Sequence, residues 1–226
     1  MDFSGSNPVP VAGLFFDGGA NGVDSLNLQN VPSKFTTHTY NYVNSDDRTQ
    51  DFAGSIVLND GSDSTISFAR LEPLTNTGTP NDVVFNLPAS SDVATLEDLG
   101  GGMARLDGAT FEQTDFAYPA AGGSITVNMG SGTDTLTITS LALAANTDLR
   151  FDGQGDDDTV NLNVPGGLAN VDDLWIAAET TQQTGPVTVN GSTNLDAGAG
   201  TITLDNPLND FGGAVTITAA SAANLD

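Results

Sequence analysis

The sequence predicts an all-β chain built mainly of parallel solenoid coils, with an irregular, partly antiparallel N-terminal elaboration. Three observations carry this. Gly, Asp and Asn make up 71 of the 226 residues, and Asp, Asn and Gly favour turns over helices. The helix formers Glu and Lys number only 4 and 1, whereas Thr, which suits strands, numbers 27. Finally, a five-residue phrase, Asp-(Ser/Thr)-(Leu/Val)-(Asn/Thr)-(Leu/Ile), recurs as Asp24–Leu28, Asp134–Ile138 and Asp158–Leu162.

Alternation within the phrase places its aliphatic pair on one face and Ser, Thr or Asn on the other. Gly within the preceding few residues supplies the backbone angles of a turn, and the Asp side chain bonds turn backbone. The last two copies lie 24 residues apart, a separation that suits one coil of a solenoid.

In chain order, Tyr40–Val43, Ser55–Leu58, Thr65–Phe68 and Asp82–Leu87 read as strands. Asn59-Asp60-Gly61-Ser62 is a hairpin signal, and Leu96–Leu99, three glycines and Met103–Leu106 mark a second hairpin. Tyr118–Gly123 is the joint between an irregular region, 1–118, and a regular parallel region, 119–226. There Val187–Val189, Thr201–Leu204 and Ala214–Ile217 are short alternating strands without two-residue hairpin turns between them, so parallel coils fit better than a meander. Leu174–Ala178 reads as a strand, although Leu168, Val171, Leu174 and Trp175 also have helical spacing.

Charge excludes several functions. Lys plus Arg is 5 against 29 Asp plus Glu, a formal net charge of −24. Binding to nucleic acid or to an anionic membrane surface needs basic groups, so neither partner is expected. No run of about twenty apolar residues is present, so membrane insertion by a helix is not expected. The absence of Cys fits a secreted protein that avoids disulfide chemistry. Met1–Ser6 has no basic or hydrophobic leader region. Ala223–Asp226 repeats the kind of phrase seen at Thr193–Asp196, as a segment of a longer chain does.

Residues 14–28 and 125–162 resemble the calcium-binding nonapeptide repeats of secreted toxins and proteases, with Met129–Leu136, spaced Gly-x-Gly-x-Asp-x-Leu, the best match. The motif stands alone rather than in tandem, and the Gly18-Gly19 and Gly153/Gly155 copies carry an extra residue before the Asp, so a calcium roll of the usual type is not expected. Residues 175–226, carried by Gly200–Gly213, resemble repeats of filamentous-haemagglutinin-like giant adhesins. That resemblance implies a right-handed parallel β-helix. Leu71–Leu74 and Asn81–Pro88 are similar to modules of very large secreted bacterial proteins.

Asp152, Asp156, Asp157 and Asp158, joined by Asp134, are the candidate metal ligands. Repelling carboxylates in a Gly-flanked turn are relieved by a hard cation with oxygen ligands, here Ca²⁺. The competing reading is a solvated turn that serves solubility. Asp24 joins only if its coil stacks beside Asp158. Asp172-Asp173 and Asp46-Asp47 read as plain turns.

Catalysis is not expected. Asn146-Thr147-Asp148 followed by Asp157-Asp158 is similar to the carboxylate set of polygalacturonases, but their Gly-His-Gly phrase and Arg-x-Lys subsite are missing. His38 has no nucleophile phrase nearby, and Arg150 is expected to pair with neighbouring Asp rather than act as a base. Thr135/Thr137/Thr139, Thr201/Thr203 and Thr216/Thr218 are too unevenly spaced for an ice-binding face. Phe15, Phe16, Trp175 and Phe211 read as packing residues. The expected function is a structural stalk or adhesive module of a large secreted or cell-surface bacterial protein, monomeric as a segment, whose partners are neighbouring repeats. The alternative is a glycan- or surface-binding module.

Overall fold

The computed structural model describes residues 1–19, 24–43, 53–71 and 73–226. Among them are strands and turns and no helix. The strands are β1 (Leu14–Asp17), β2 (Leu26–Leu28), β3 (Thr37–Val43), β4 (Ala53–Asn59), β5 (Asp63–Ala69), β6 (Leu74–Asn76), β7 (Asp82–Asn86), β8 (Val93–Gly100), β9 (Met103–Gly108), β10 (Thr114–Ala117) and β11 (Ser124–Asn128). They continue as β12 (Thr135–Ile138), β13 (Thr147–Asp152), β14 (Thr159–Leu162), β15 (Leu168–Ala177), β16 (Thr180–Gln183), β17 (Val187–Val189), β18 (Thr193–Asp196), β19 (Thr201–Leu204), β20 (Asp210–Phe211), β21 (Val215–Ala219) and β22 (Ala222–Leu225).

Two sheets result, neither closed into a barrel. The first runs β1-β5-β4-β3-β7-β11-β13-β15-β17-β20, with β18 and β21 continuing beside β15; the second runs β2-β6-β10-β9-β8-β12-β14-β16-β19-β22. The antiparallel pairs are β3–β4, β4–β5, β8–β9 and β9–β10. Both expected hairpins are among them, because Gly61 and Gly100–Gly102 supply positive-φ backbone where the chain reverses. From β11 onward the pairs are parallel. Pairing crosses the expected joint: β7 bonds β11 and β8 bonds β12 on either side of residue 118.

The core lies between the sheets. Inward positions form columns of like residues, such as Phe85, Val127, Phe151, Ile176 and Leu195 across the first sheet and Leu96, Ile138 and Leu162 across the second. Phe85 bridges the sheets, stacking on Tyr40 and meeting Phe116 edge-on, both at 4.9 Å between ring centres. At one end Phe3 and Val9 fold over the stack, with Phe3 against Phe35 at 6.0 Å. At the other end nothing among the described residues covers the last rung. Ile217, in register with buried Leu195, is 39% exposed, and Val215 is 40% exposed.

The helical spacing of Leu168, Val171, Leu174 and Trp175 has a different origin. The register slips between Thr147 and Leu149, so three residues of β15 span two of β13. A second slip sets Leu168 and Val171 against Val187 and Val189. Each β-bulge adds one residue and turns a period of two into a spacing of three. The segment is therefore a strand with Leu168, Val171 and Leu174 all buried.

Outward faces carry amide rows. Asn128 donates to Asn86 and Asn86 to Asn41, each at 2.7 Å. On the second sheet Gln182 donates to Asn161 at 2.6 Å, and Asn161 in turn to Thr137 at 3.4 Å. Expected strand threonines thus mix with amides rather than form a uniform Thr surface.

Phe85→Ala removes the ring that joins Tyr40 to Phe116. Urea unfolding is expected to show a loss of about 3–5 kcal/mol, the range for a buried Phe.

Candidate functional site

The residue just before each of β8, β12, β14, β16, β19 and β22 in the second sheet occupies one corner of the stack. In register these positions are Asp92, Asp134, Asp158, Glu179, Gly200 and Ser221. The backbone N–H of Asp92 donates to Asp134 Oδ1 at 2.6 Å. That of Asp134 donates to Asp158 Oδ1 at 2.9 Å, and that of Asp158 to Glu179 Oε2 at 2.9 Å. Each carboxylate therefore holds the main chain of the preceding rung. Asp92 itself accepts from Ser90 Oγ at 3.1 Å and from Thr110 Oγ1. Gly153 makes room for the column, since a Cβ there falls 2.3 Å from Asp158 Oδ2.

Asp134 and Asp158 are each 1% exposed, and the second oxygens of Asp92, Asp134 and Asp158 have no hydrogen-bond partner. Burial raises the pKa of all three. It carries Asp134 to about 6, with Asp92, Asp158 and Asp156 adding repulsion. It carries Asp158 to about 6, with Glu179 and Asp156 adding to it. In Asp92 burial outweighs the Thr110 and Ser90 hydroxyls.

The remaining candidate metal ligands are outside the column. Asp152 is on the outward face of β13, where it accepts from Arg150 Nη2 at 2.9 Å and from the Gln154 N–H at 3.2 Å. Arg150 in turn lies over the Trp175 ring, 3.5 Å from its centre, so its expected pairing with an Asp is found. Asp156 is exposed in a left-handed turn and accepts from the Gly132 N–H at 3.0 Å. Asp157 is exposed beside it. Asp24 precedes β2, which pairs with β6, away from Asp158. Asp173 accepts from the Ser192 N–H and hydroxyl at 2.6 and 2.9 Å. Asp46 and Asp47 lie outside the described residues.

These residues do not fit a calcium cage. Ca²⁺ takes six to eight oxygens at 2.3–2.6 Å. The column offers one uncommitted oxygen per rung, and rungs are about 4.8 Å apart, so an ion midway reaches two of them. Among the described residues no group of three or more His, Cys, Asp or Glu is arranged to hold a metal ion.

Glu179, Asp92 and Asp196 escaped the sequence reading. Asp92-Val93-Ala94-Thr95-Leu96 is a copy of the recurring phrase once its second and third positions are relaxed, and Glu179-Thr180-Thr181 follows 21 residues after Asp158. The 21-residue step points to Glu179, whereas Asp92 lies 42 residues before Asp134, with β8, β9 and β10 between them. Asp196 joins Asp152, Asp158, Glu179, Arg150 and Trp175 around a surface recess of about 410 Å³. His38 is buried inside the first sheet beside Asn76 at 3.2 Å, and burial lowers its pKa to about 4. Asp148 belongs to another row, where it accepts from the Asp173 N–H at 3.0 Å.

A family model described as repeats of unknown function (DUF5649) matches residues 155–218, from just before β14 into β21. Neither the curated proteins nor the solved structures contain a match to the chain.

The column gives the fold an unusual pH response. With an ordinary carboxylate value of 3.8 in the unfolded chain and about 6 in the folded one, Asp134 and Asp158 retain protons that the unfolded state has released. Their contribution to stability is complete below the unfolded value and is lost as pH rises through the folded value. The melting temperature is expected to rise when pH falls from about 7.5 to about 5, and the Asp134→Asn/Asp158→Asn double variant to flatten that rise in thermal melts followed by circular dichroism.

Proposed function

We propose that the chain is a non-catalytic structural segment, a stalk or adhesive module, of a large secreted or cell-surface bacterial protein. In this reading the two sheets are walls of a right-handed parallel β-helix, and the partners are neighbouring repeats of the same kind. The observation that carries it is the uncovered last rung. Parallel pairs along the second sheet advance by 24 and then 21 residues, and the Ser221 N–H still meets Gly200 O across a 21-residue step. The inward side chains of that rung, Val215 and Ile217, are nevertheless open to solvent. A β-stack buries its core by adding neighbours, so a further rung is the natural cover. The family match to repeats supports the same arrangement. The lack of Cys suits a location outside the cell.

A second reading, a glycan- or surface-binding module, is favoured by the recess lined by Trp175 and carboxylates. Trp175 is the single tryptophan of the chain, so its fluorescence reports directly on occupancy. A saturable change on titration with neutral or amino-sugar oligosaccharides favours binding, and an unchanged spectrum favours the stalk.

The structural reading is tested by extending the chain with a copy of its own residues 206–226. The extended protein is expected to melt higher. Ile217→Ala is expected to cost less than about 1 kcal/mol in the original chain and about 2–5 kcal/mol in the extended one, as Leu195→Ala does in both. An extension that adds no stability, with Ile217→Ala equally mild in both proteins, overturns it.

A further inference from the structure

We propose that the corner column Asp92–Asp134–Asp158–Glu179 is a metal-independent register clamp, in which carboxylates hold backbone N–H groups of the neighbouring rung instead of a cation. The Gly-rich turns resemble calcium-binding repeats, yet the acidic residues around them are committed differently.

The reason lies in how the backbone turns at this corner. The carbonyl of each column residue accepts from the first strand residue of the next rung: Thr135 N–H bonds Asp92 O at 2.8 Å, Thr159 bonds Asp134 O at 2.8 Å, and Thr180 bonds Asp158 O at 2.9 Å. The N–H of the same residue faces the same neighbour. A parallel rung supplies a main-chain donor there but no acceptor for that second group. A buried N–H left unpaired is costly, so the acceptor must come from a side chain. Asp or Glu at the corner reaches it, and a charged acceptor makes the stronger bond.

The column has a sense and an end. All three bonds run from the backbone of one rung to the side chain of the next, across 42, 24 and 21 residues. At Gly200 it stops: a Cβ there falls 1.8 Å from Glu179 O, and the Gly200 N–H turns back to Ala197 O. Gly200 and the acidic residues are thus two solutions to one geometric problem. A slip that brings the following residue to the corner places Thr135, Thr159 or Thr180 where a carboxylate is needed, so the column opposes slippage in that direction.

The clamp requires an acceptor oxygen and no ion. The test compares Asp134→Asn, Asp134→Ala and Asp158→Asn with the parent chain, by amide hydrogen exchange and by melting in CaCl₂, in ionic-strength-matched NaCl and with EDTA. Asp134→Asn keeps one acceptor and is expected to leave Asp92 N–H protected. Asp134→Ala removes it and is expected to raise exchange at Asp92 about tenfold. Equal melting shifts in the two salts, with EDTA silent, complete the expected result. The inference is overturned by a Ca²⁺-specific rise in melting temperature that Asp158→Asn removes, or by loss of Asp92 protection in Asp134→Asn. Should Asp134→Ala not fold, exchange in Asp134→Asn and the salt comparison still decide.

Discussion

Register between non-local parallel strands is the constraint on which the rest of this protein depends. A rung of the second sheet meets its parallel neighbour 21, 24 or 42 residues away, and nothing local fixes that distance. Side chains alternate with period two, so a one-residue slip turns every inward Leu or Val outward. The chain meets the constraint three times over. Apolar columns such as Phe85, Val127, Phe151, Ile176 and Leu195 must stay aligned inside. Amide rows bond from rung to rung outside. Carboxylates tie the corner.

The corner carries the strongest electrostatic tension. Thirteen acidic residues follow residue 118, against the single base Arg150. Three carboxylates are nevertheless buried in line: Asp134 and Asp158 each have one oxygen on a backbone N–H, Asp92 has one on the Ser90 and Thr110 hydroxyls, and the other oxygen of all three is unpartnered. Burial disfavours the charged form, and the raised affinity for protons is the consequence. Elsewhere charge is handled at the surface: Lys34 pairs with Asp60, Arg70 with Asp17, Arg105 with Asp115 and Arg150 with Asp152. An exposed pair such as Lys34–Asp60 adds little stability, so packing and register carry the fold.

The two ends of the stack differ in kind. Phe3 and Val9 close one, while Val215 and Ile217 leave the other apolar and open. Antiparallel hairpins cluster toward the closed end, where β3–β5 and β8–β10 pair through local turns. Local pairing forms without a long loop closure, whereas the parallel steps beyond β11 require one at every rung.

The sequence by itself determined many of the strands, where the two hairpins turn and which face of those strands is apolar; β1, β6, β10, β11, β13, β16, β18, β20 and β22 were not read from it. Alternation, Gly placement and Asn-Asp-Gly-Ser are local signals, and period two is read directly from neighbouring residues. It also located part of the corner, since Asp134 and Asp158 open copies of one phrase. It did not reveal that Asp152 and Trp175 share a recess with Asp158 and Glu179, nor that Asp92 and Glu179 complete the column. Two bulges in β15 disguised a strand with helical spacing. Only the tertiary structure decided which rungs are neighbours, and with that which carboxylate meets which N–H. Proximity between residues 21 to 42 positions apart is set by how the whole stack closes and packs, and no short phrase encodes it.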